Sequence, residues 1–313
     1  MIVDRQGSWL SLVLRYRGSV LPSIAPRVLV ATGVAIFVSV VWPAWDLDRF
    51  SLTLAPFSLI GVALSIFLGF RNNTSYDRFW EGRKLWGRLV NASRTWARQV
   101  RTLVGPLDGD EGDELATLQR RLIERQIAYV HALRLHLRDR ARDVATEATA
   151  GLDEGEPARL ATSTNAPSAL AHRTGLLVRA AYDAGRVHPM HLPVLEGTLT
   201  ELLGIQGGCE RIRATPIPFS YTVLTHRIVG LYCLALPFGV HDAAGDFTPA
   251  VVAMVAFAFY GLDAIGDQIE DPFGTDDNDL PLDYLSTMIE GNLREVLGDE
   301  LPGLTQPKDG VLS

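Results

Sequence analysis

VLVATGVAIFVSVVWPAW (28–45) and FSLTLAPFSLIGVALSIFLGF (50–70) carry no charged side chain, and only DLDR (46–49) separates them. A hydrocarbon layer ~30 Å thick needs about 20 residues of helix at roughly 1.5 Å each. Both runs come close to that length. They predict two membrane-crossing helices joined by a tight external turn at Asp46, Asp48 and Arg49.

Two weaker runs follow near the other end. One covers 218–241 and is interrupted by His226 and Arg227; the other covers about 247–265 and meets Asp263. Each can be read as a span or as a buried helix of a soluble core. Basic residues set the orientation, because Lys and Arg favour the cytoplasmic side. The turn at 46–49 has one arginine and HDAAGDF (241–247) has none, whereas Arg27, Arg71, Arg78, Lys84 and Arg211 flank the opposite ends. Four spans in two hairpins result, with both termini and residues 71–215 in the cytoplasm.

The 313 residues carry 29 basic and 36 acidic side chains, a net charge of −7, and so offer no global basic face for nucleic acid. The stripe Arg71–Arg101 flanks an apolar run and reads as membrane-adjacent. The early charges Asp4 and Arg5 do not fit a secretory signal. Cys209 and Cys233 lie in unlike contexts, which predicts neither a disulfide nor a metal pair.

From 71 to 215 the periodicity is helical: Leu85, Leu89, Trp96 and Val100 form one series, and Leu118, Leu122, Tyr129 and Leu133 another. Asp143–Ser168, rich in Ala, Thr, Gly, Glu and Pro, reads as a linker, and the tail from Pro302 as disordered. His131 and His136 are five apart, on different helix faces, and read as solvated rather than metal-bound. The chain holds no Gly-rich phosphate loop, H-E-x-x-H, C-x-x-C or G-x-S-x-G motif, so it is not expected to be an enzyme. It reads as one domain over 1–313, all-α.

Val62, Ile66 and Phe70 fall at i, i+4 and i+8, one apolar stripe among the small residues Gly61, Ala63, Ser65 and Gly69. Spacing alone favours packing against lipid or another helix. If several copies surrounded an axis, the stripe would become a hydrophobic constriction able to gate by dewetting. Asp263 and Asp267 end the last run and are expected to face water, with His226 and Arg227 as their candidate partners. Asp276, Asp277 and Asp279 put hard oxygen ligands on one short loop, which suits either calcium or a solvated acidic turn.

Three blocks in order, FLGFRNNTSYDRFWEGRKLWGRLV (67–90), GGCERIRATPIPFSYT (207–222) and EDPFGTDDNDLPLD (270–283), resemble the bacterial bestrophins over nearly the whole chain, apart from 143–168 and the tail. The resemblance implies a homopentameric ion channel in a bacterial inner membrane, with one central pore and no required cofactor. Its partners would be its own copies, lipids and monovalent ions. It assigns the pore neck to Val62, Ile66 and Phe70, with valine where isoleucine is more usual, and the cytosolic aperture to Met190, between Pro189 and Pro193. It assigns the side chains of an optional calcium clasp to Asp276 and Asp279, with Thr275 where an acid is common. It implies sodium or another small cation as the permeant ion. The alternatives are a calcium-gated chloride channel and a non-conducting membrane scaffold. A membrane enzyme with a carboxylate-bound metal in 263–279 would lack the usual histidines.

Overall fold

The computed structural model describes residues 16, 18–44, 53–105, 112–304 and 312. The turn at 46–49, the first fifteen residues and most of the tail lie outside them. The elements are α1 (Leu21–Ala44), α2 (Leu54–Leu103), α3 (Asp113–Leu137), α4 (Val144–Glu147), α5 (Glu156–Ala161), α6 (Ala166–Asp183), α7 (Leu192–Ala214), α8 (Phe219–Ala244), α9 (Thr248–Glu270) and α10 (Leu282–Leu297). The described residues contain no strand, only the isolated antiparallel bridge Val104–Val187. They divide into two compact units, one taking the chain up to Trp80 with Pro216–Asp271, the other Glu81–Thr215 with the chain from Pro272.

The first unit holds α1, the first half of α2, α8 and α9. Leu21–Val41, Leu54–Leu103 and Phe219–Glu270 are each long and apolar enough to cross a membrane; the last contains α8 and α9 with the 3₁₀ turn Gly245–Phe247 between them. α1 begins before the uncharged run and includes Arg27; α2 continues past Phe70 to Leu103. Ile24, Ala31, Ala35 and Val38 form one buried stripe on α1, while Leu29, Phe37 and Val40 are exposed. A large outward apolar surface is a liability in water but the ordinary surface of a helix in lipid. Small residues bring the backbones together. A Cβ at Gly61 would lie 2.7 Å from the Tyr232 hydroxyl, and one at Gly239 would overlap the Phe57 ring.

In the second unit α3 is the central helix, buried at nearly every position from Leu122 to Leu137. Leu85, Leu89, Trp96 and Val100 of α2 are all buried. The Trp96 indole donates to the Leu122 carbonyl at 3.0 Å, and Tyr129 donates to the Leu202 carbonyl at 2.9 Å. These bonds satisfy groups that would otherwise be costly to bury.

Two expectations change here. Asp143–Ser168 is not a linker. It forms α4, α5 and the start of α6, whose N-cap Asn165 accepts from the Ser168 amide at 3.0 Å. Buried Glu156 takes both prongs of Arg125 at 2.9 and 2.7 Å, anchoring this small-residue segment to α3. Gly151 has φ +65, and a Cβ there would sit 2.9 Å from the Arg121 carbonyl and the Arg125 amide. Its glycine therefore serves a close approach rather than slack. His131 is not solvated either: it is buried, with Nε2 2.8 Å from Glu290 on α10, and His136 Nε2 lies 3.2 Å from Glu210. The solvated reading failed because α3 is covered on several faces.

The His131 hydrogen bond, against burial and aided by Arg294, holds the Glu290 carboxyl down at about 2 from an ordinary 4.5. A depressed carboxylate contributes stability that is present above its unfolded pKa and lost as pH falls through its folded one. The contribution of Glu290 should therefore fade between about pH 4.5 and 2. Glu290→Gln should lower the melting temperature at pH 7 and flatten this acid limb. Fluorimetric melts of the detergent-solubilised protein across that range check both outcomes.

Candidate pore-lining helix and its buried ion cluster

α2 has two chemically distinct faces within the first unit. Phe57, Leu64, Leu68, Arg71 and Ser75, at steps of 7, 4, 3 and 4, are all buried. Val62, Ile66 and Phe70 lie on the opposite face at 61%, 54% and 66% exposure. Eight rises of about 1.5 Å from Val62 to Phe70 make that outward stripe about 12 Å long. Ser65 Oγ donates back to the Gly61 carbonyl at 2.8 Å, so the hydroxyl beside the stripe is already satisfied.

The turn after Phe70 brings a charge into the buried face. The Arg71 side chain is 0% exposed, donates to Asp263 Oδ1 at 2.7 Å and is also paired with Asp267. Asp263 and Asp267 stand four apart on α9, so one guanidinium can take both. His226 of α8 closes the other side, with Nδ1 2.7 Å from Asp263 Oδ2 and Nε2 3.5 Å from Asp267 Oδ2. Arg27 of α1 reaches to 3.9 Å from Asp263. Asn72 donates to the Leu262 carbonyl at 3.0 Å alongside.

This cluster corrects two expectations. Asp263 does not face water; its side chain is 1% exposed. Of its two expected partners, His226 makes the contact, whereas Arg227 is exposed and no ion pair to these acids is found for it among the described residues. The partner that sequence reading missed is Arg71, taken for a membrane-flanking charge. The usable signal was an arginine directly after one apolar run and two acids at i, i+4 closing another. His226, Asp263 and Asp267 offer donor atoms within 4.8 Å of one another, the spacing of a metal site. Arg71 already lies on both carboxylates, however, and supplies the positive charge that a cation would bring.

The other candidate residues belong to the second unit. Met190 precedes α7 and is 74% exposed; its amide donates to His188 Nδ1 at 3.1 Å. The acidic loop closes on its own bonds: the Asp276 amide donates to Asp279 Oδ2 at 2.7 Å, the Asp279 amide to the Asp276 carbonyl at 3.0 Å, and the Leu280 amide to the Pro272 carbonyl at 3.0 Å. Asp279 is buried and Asp276 exposed. Asp283, past the turn, is gripped by Arg138 at 2.7 Å and by Arg134. Burial would raise its carboxyl, but these two guanidinium groups win and hold it below the usual range.

Residues 1–295 match the sequence pattern of a family described as Bacterial/Fungal Bestrophin protein. The chain is 41% identical over 302 residues to a voltage-dependent anion channel-forming protein of Ralstonia nicotianae, covering 96% of this chain and 95% of that one. It is 37% identical over 313 residues to the voltage-dependent anion channel-forming protein YneE of Escherichia coli K12, covering 98% of each. A crystal structure of a bacterial bestrophin homolog from Klebsiella pneumoniae superposes with a TM-score of 0.80 at 33% identity, covering 88% of this chain and 99% of that one.

Removing one partner of a buried ion pair costs roughly 3–5 kcal/mol, because the other charge is stranded. Arg71→Met should therefore lower the melting temperature sharply. Combining it with Asp263→Leu should cost less than the sum of the single changes. Strict additivity in that cycle would dissolve the cluster as an energetic unit.

Proposed function

Because the chain belongs to the bacterial and fungal bestrophin family, we propose that it forms a membrane ion channel in which five copies surround one central pore. The observation that carries this reading is the outward face of α2, where Val62, Ile66 and Phe70 are more than half exposed although all three are apolar. Repeated around an axis, they make three stacked apolar rings over about 12 Å, a constriction that water and ions leave readily. Gating is then a matter of wetting and widening this neck. Met190, exposed and flexible, forms a second apolar ring at the cytosolic mouth in the same reading.

The first unit crosses the bacterial inner membrane as four spans, with α8 and α9 as separate crossings, and the second unit lies in the cytoplasm with both termini. The support is the distribution of Lys and Arg around the apolar runs.

An uncharged neck does not select the sign of an ion by Coulomb attraction. The curated relatives are named for anion conduction, which moves the reading from the sodium preference expected above to small anions such as chloride. The one observation on the side of cations is the acid surplus, 36 against 29 basic residues. Calcium enters as an optional modulator held by the carboxylates of Asp276 and Asp279, which share one turn.

Protein reconstituted in bilayers under a sodium chloride gradient gives the sign directly: a reversal potential near that of chloride is expected, and one near that of sodium reverses the selectivity. Absence of any flux in liposomes would favour a scaffold instead. Ile66→Ala thins the middle ring and should raise conductance or open probability; unchanged current would remove α2 from the pore. D276A combined with D279A should abolish any response of the current to micromolar calcium.

A further inference from the structure

A concavity of about 360 Å³ lies within the second unit, between α3, the start of α5 and α6, with no residue of the acidic loop in its lining. Its lining includes Arg121, Arg125, Arg173 and His172 against two carboxylates, Asp153 and Glu156. The lining therefore carries three guanidinium charges against two carboxylates before His172 is counted, in a chain whose net charge is −7.

These charges are not equally engaged. Arg125 and Glu156 form the floor, with side chains 1% and 2% exposed and two hydrogen bonds between them. Glu156 also accepts from the Asp153 amide at 3.1 Å. Burial would raise its carboxyl, yet these bonds and the nearby Arg173 keep it below the usual range, so it stays ionised and neutralises Arg125. Arg173 is then surplus: it stands 3.4 Å from an already satisfied Glu156 and is 38% exposed. Arg121 is paired with Asp153, whose side chain is 62% exposed, so this pair is screened by solvent and weak. His172 is exposed. Next to this charge Leu176, on the following turn of α6, leaves 56% of its surface bare.

Guanidinium groups match the geometry of oxyanions, carboxylate and phosphate alike. An exposed leucine beside them suits the apolar body of such a molecule, and the volume falls at the lower end of the roughly 300–1,000 Å³ typical of small-molecule sites. We propose that this concavity, walled by Arg121, His172, Arg173 and Leu176 over the buried Arg125–Glu156 pair, binds a small organic oxyanion, its phosphate or carboxylate on the arginines and its apolar part on Leu176. The site is independent of the channel reading.

Titration calorimetry on the full-length protein in detergent, with phenyl phosphate, benzoate and inorganic phosphate as separate probes, tests this. At least one organic anion should bind saturably, at least ten-fold more tightly than inorganic phosphate, and the better of the two identifies the head group. A charged hydrogen bond is worth enough that Arg173→Gln should weaken binding about ten-fold or more. Leu176→Asp should do the same by repulsion without touching any ion pair. Both side chains are partly exposed and the Arg125–Glu156 pair stays in place, so both variants should fold, Leu176→Asp melting like the parent and Arg173→Gln slightly below it. The proposal is overturned if neither organic anion binds at millimolar concentration, if inorganic phosphate binds equally well, or if both variants bind like the parent.

Discussion

A fully buried arginine in an apolar unit has to be paired, and Arg71 determines much of how the first unit goes together. Its guanidinium sits on Asp263 and Asp267 of α9, and the same acids hold His226 of α8 and draw in Arg27 of α1. A lone buried charge is costly, and a half-satisfied network is worse than an apolar core. The cluster therefore stabilises the arrangement in which all its members meet more than it stabilises helices in general. Because Asp263 and Asp267 are one turn apart, sliding α9 by a turn would leave a carboxylate without its arginine. Burial of the apolar stripes supplies most of the packing energy, and the ions supply the register.

The opposite face of the same helix has the reverse problem. Beyond Val62, Ile66 and Phe70, the residues Leu29, Phe37, Leu231 and Met254 also stand exposed on this unit. Lipid can satisfy some of that surface. In the proposed channel, equivalent stripes of other copies would cover the narrow one on α2. The buried charge adjoining Phe70 keeps α2 from turning its stripe inward toward its own core.

Much of this was legible in the residues. Apolar runs of near-membrane length, and the 4, 7 and 4 spacing of Leu85, Leu89, Trp96 and Val100, encode helices and their buried faces directly, because each is a property of local order. The i, i+4, i+8 spacing of Val62, Ile66 and Phe70 put them on one helix face, and they are exposed with Leu64 and Leu68 buried between them; their role as a neck rests on the family resemblance. The pairing of Arg71 with Asp263 was not legible, since it spans 192 positions and no local rule distinguishes a flanking arginine from a buried one. The segment 143–168 failed for a related reason. Its glycine and alanine content looks like flexibility, whereas Gly151 permits close passage over α3 and Glu156 answers an arginine that is distant in sequence. His131 looked solvated because its partner, Glu290, belongs to a helix far downstream.

The Phe57 ring occupies the space where a side chain at position 239 would begin. The residues one turn away on α8 are Ala235 and Ala243, each of which has the atom that glycine lacks. A shift of about 5.4 Å along the helix would therefore drive the aromatic ring into a methyl group. The notch works as a detent: travel of α8 along its own axis past α2 is blocked in steps of a turn. Rolling, tilting or spreading of these two helices remain the routes by which that pairing can change.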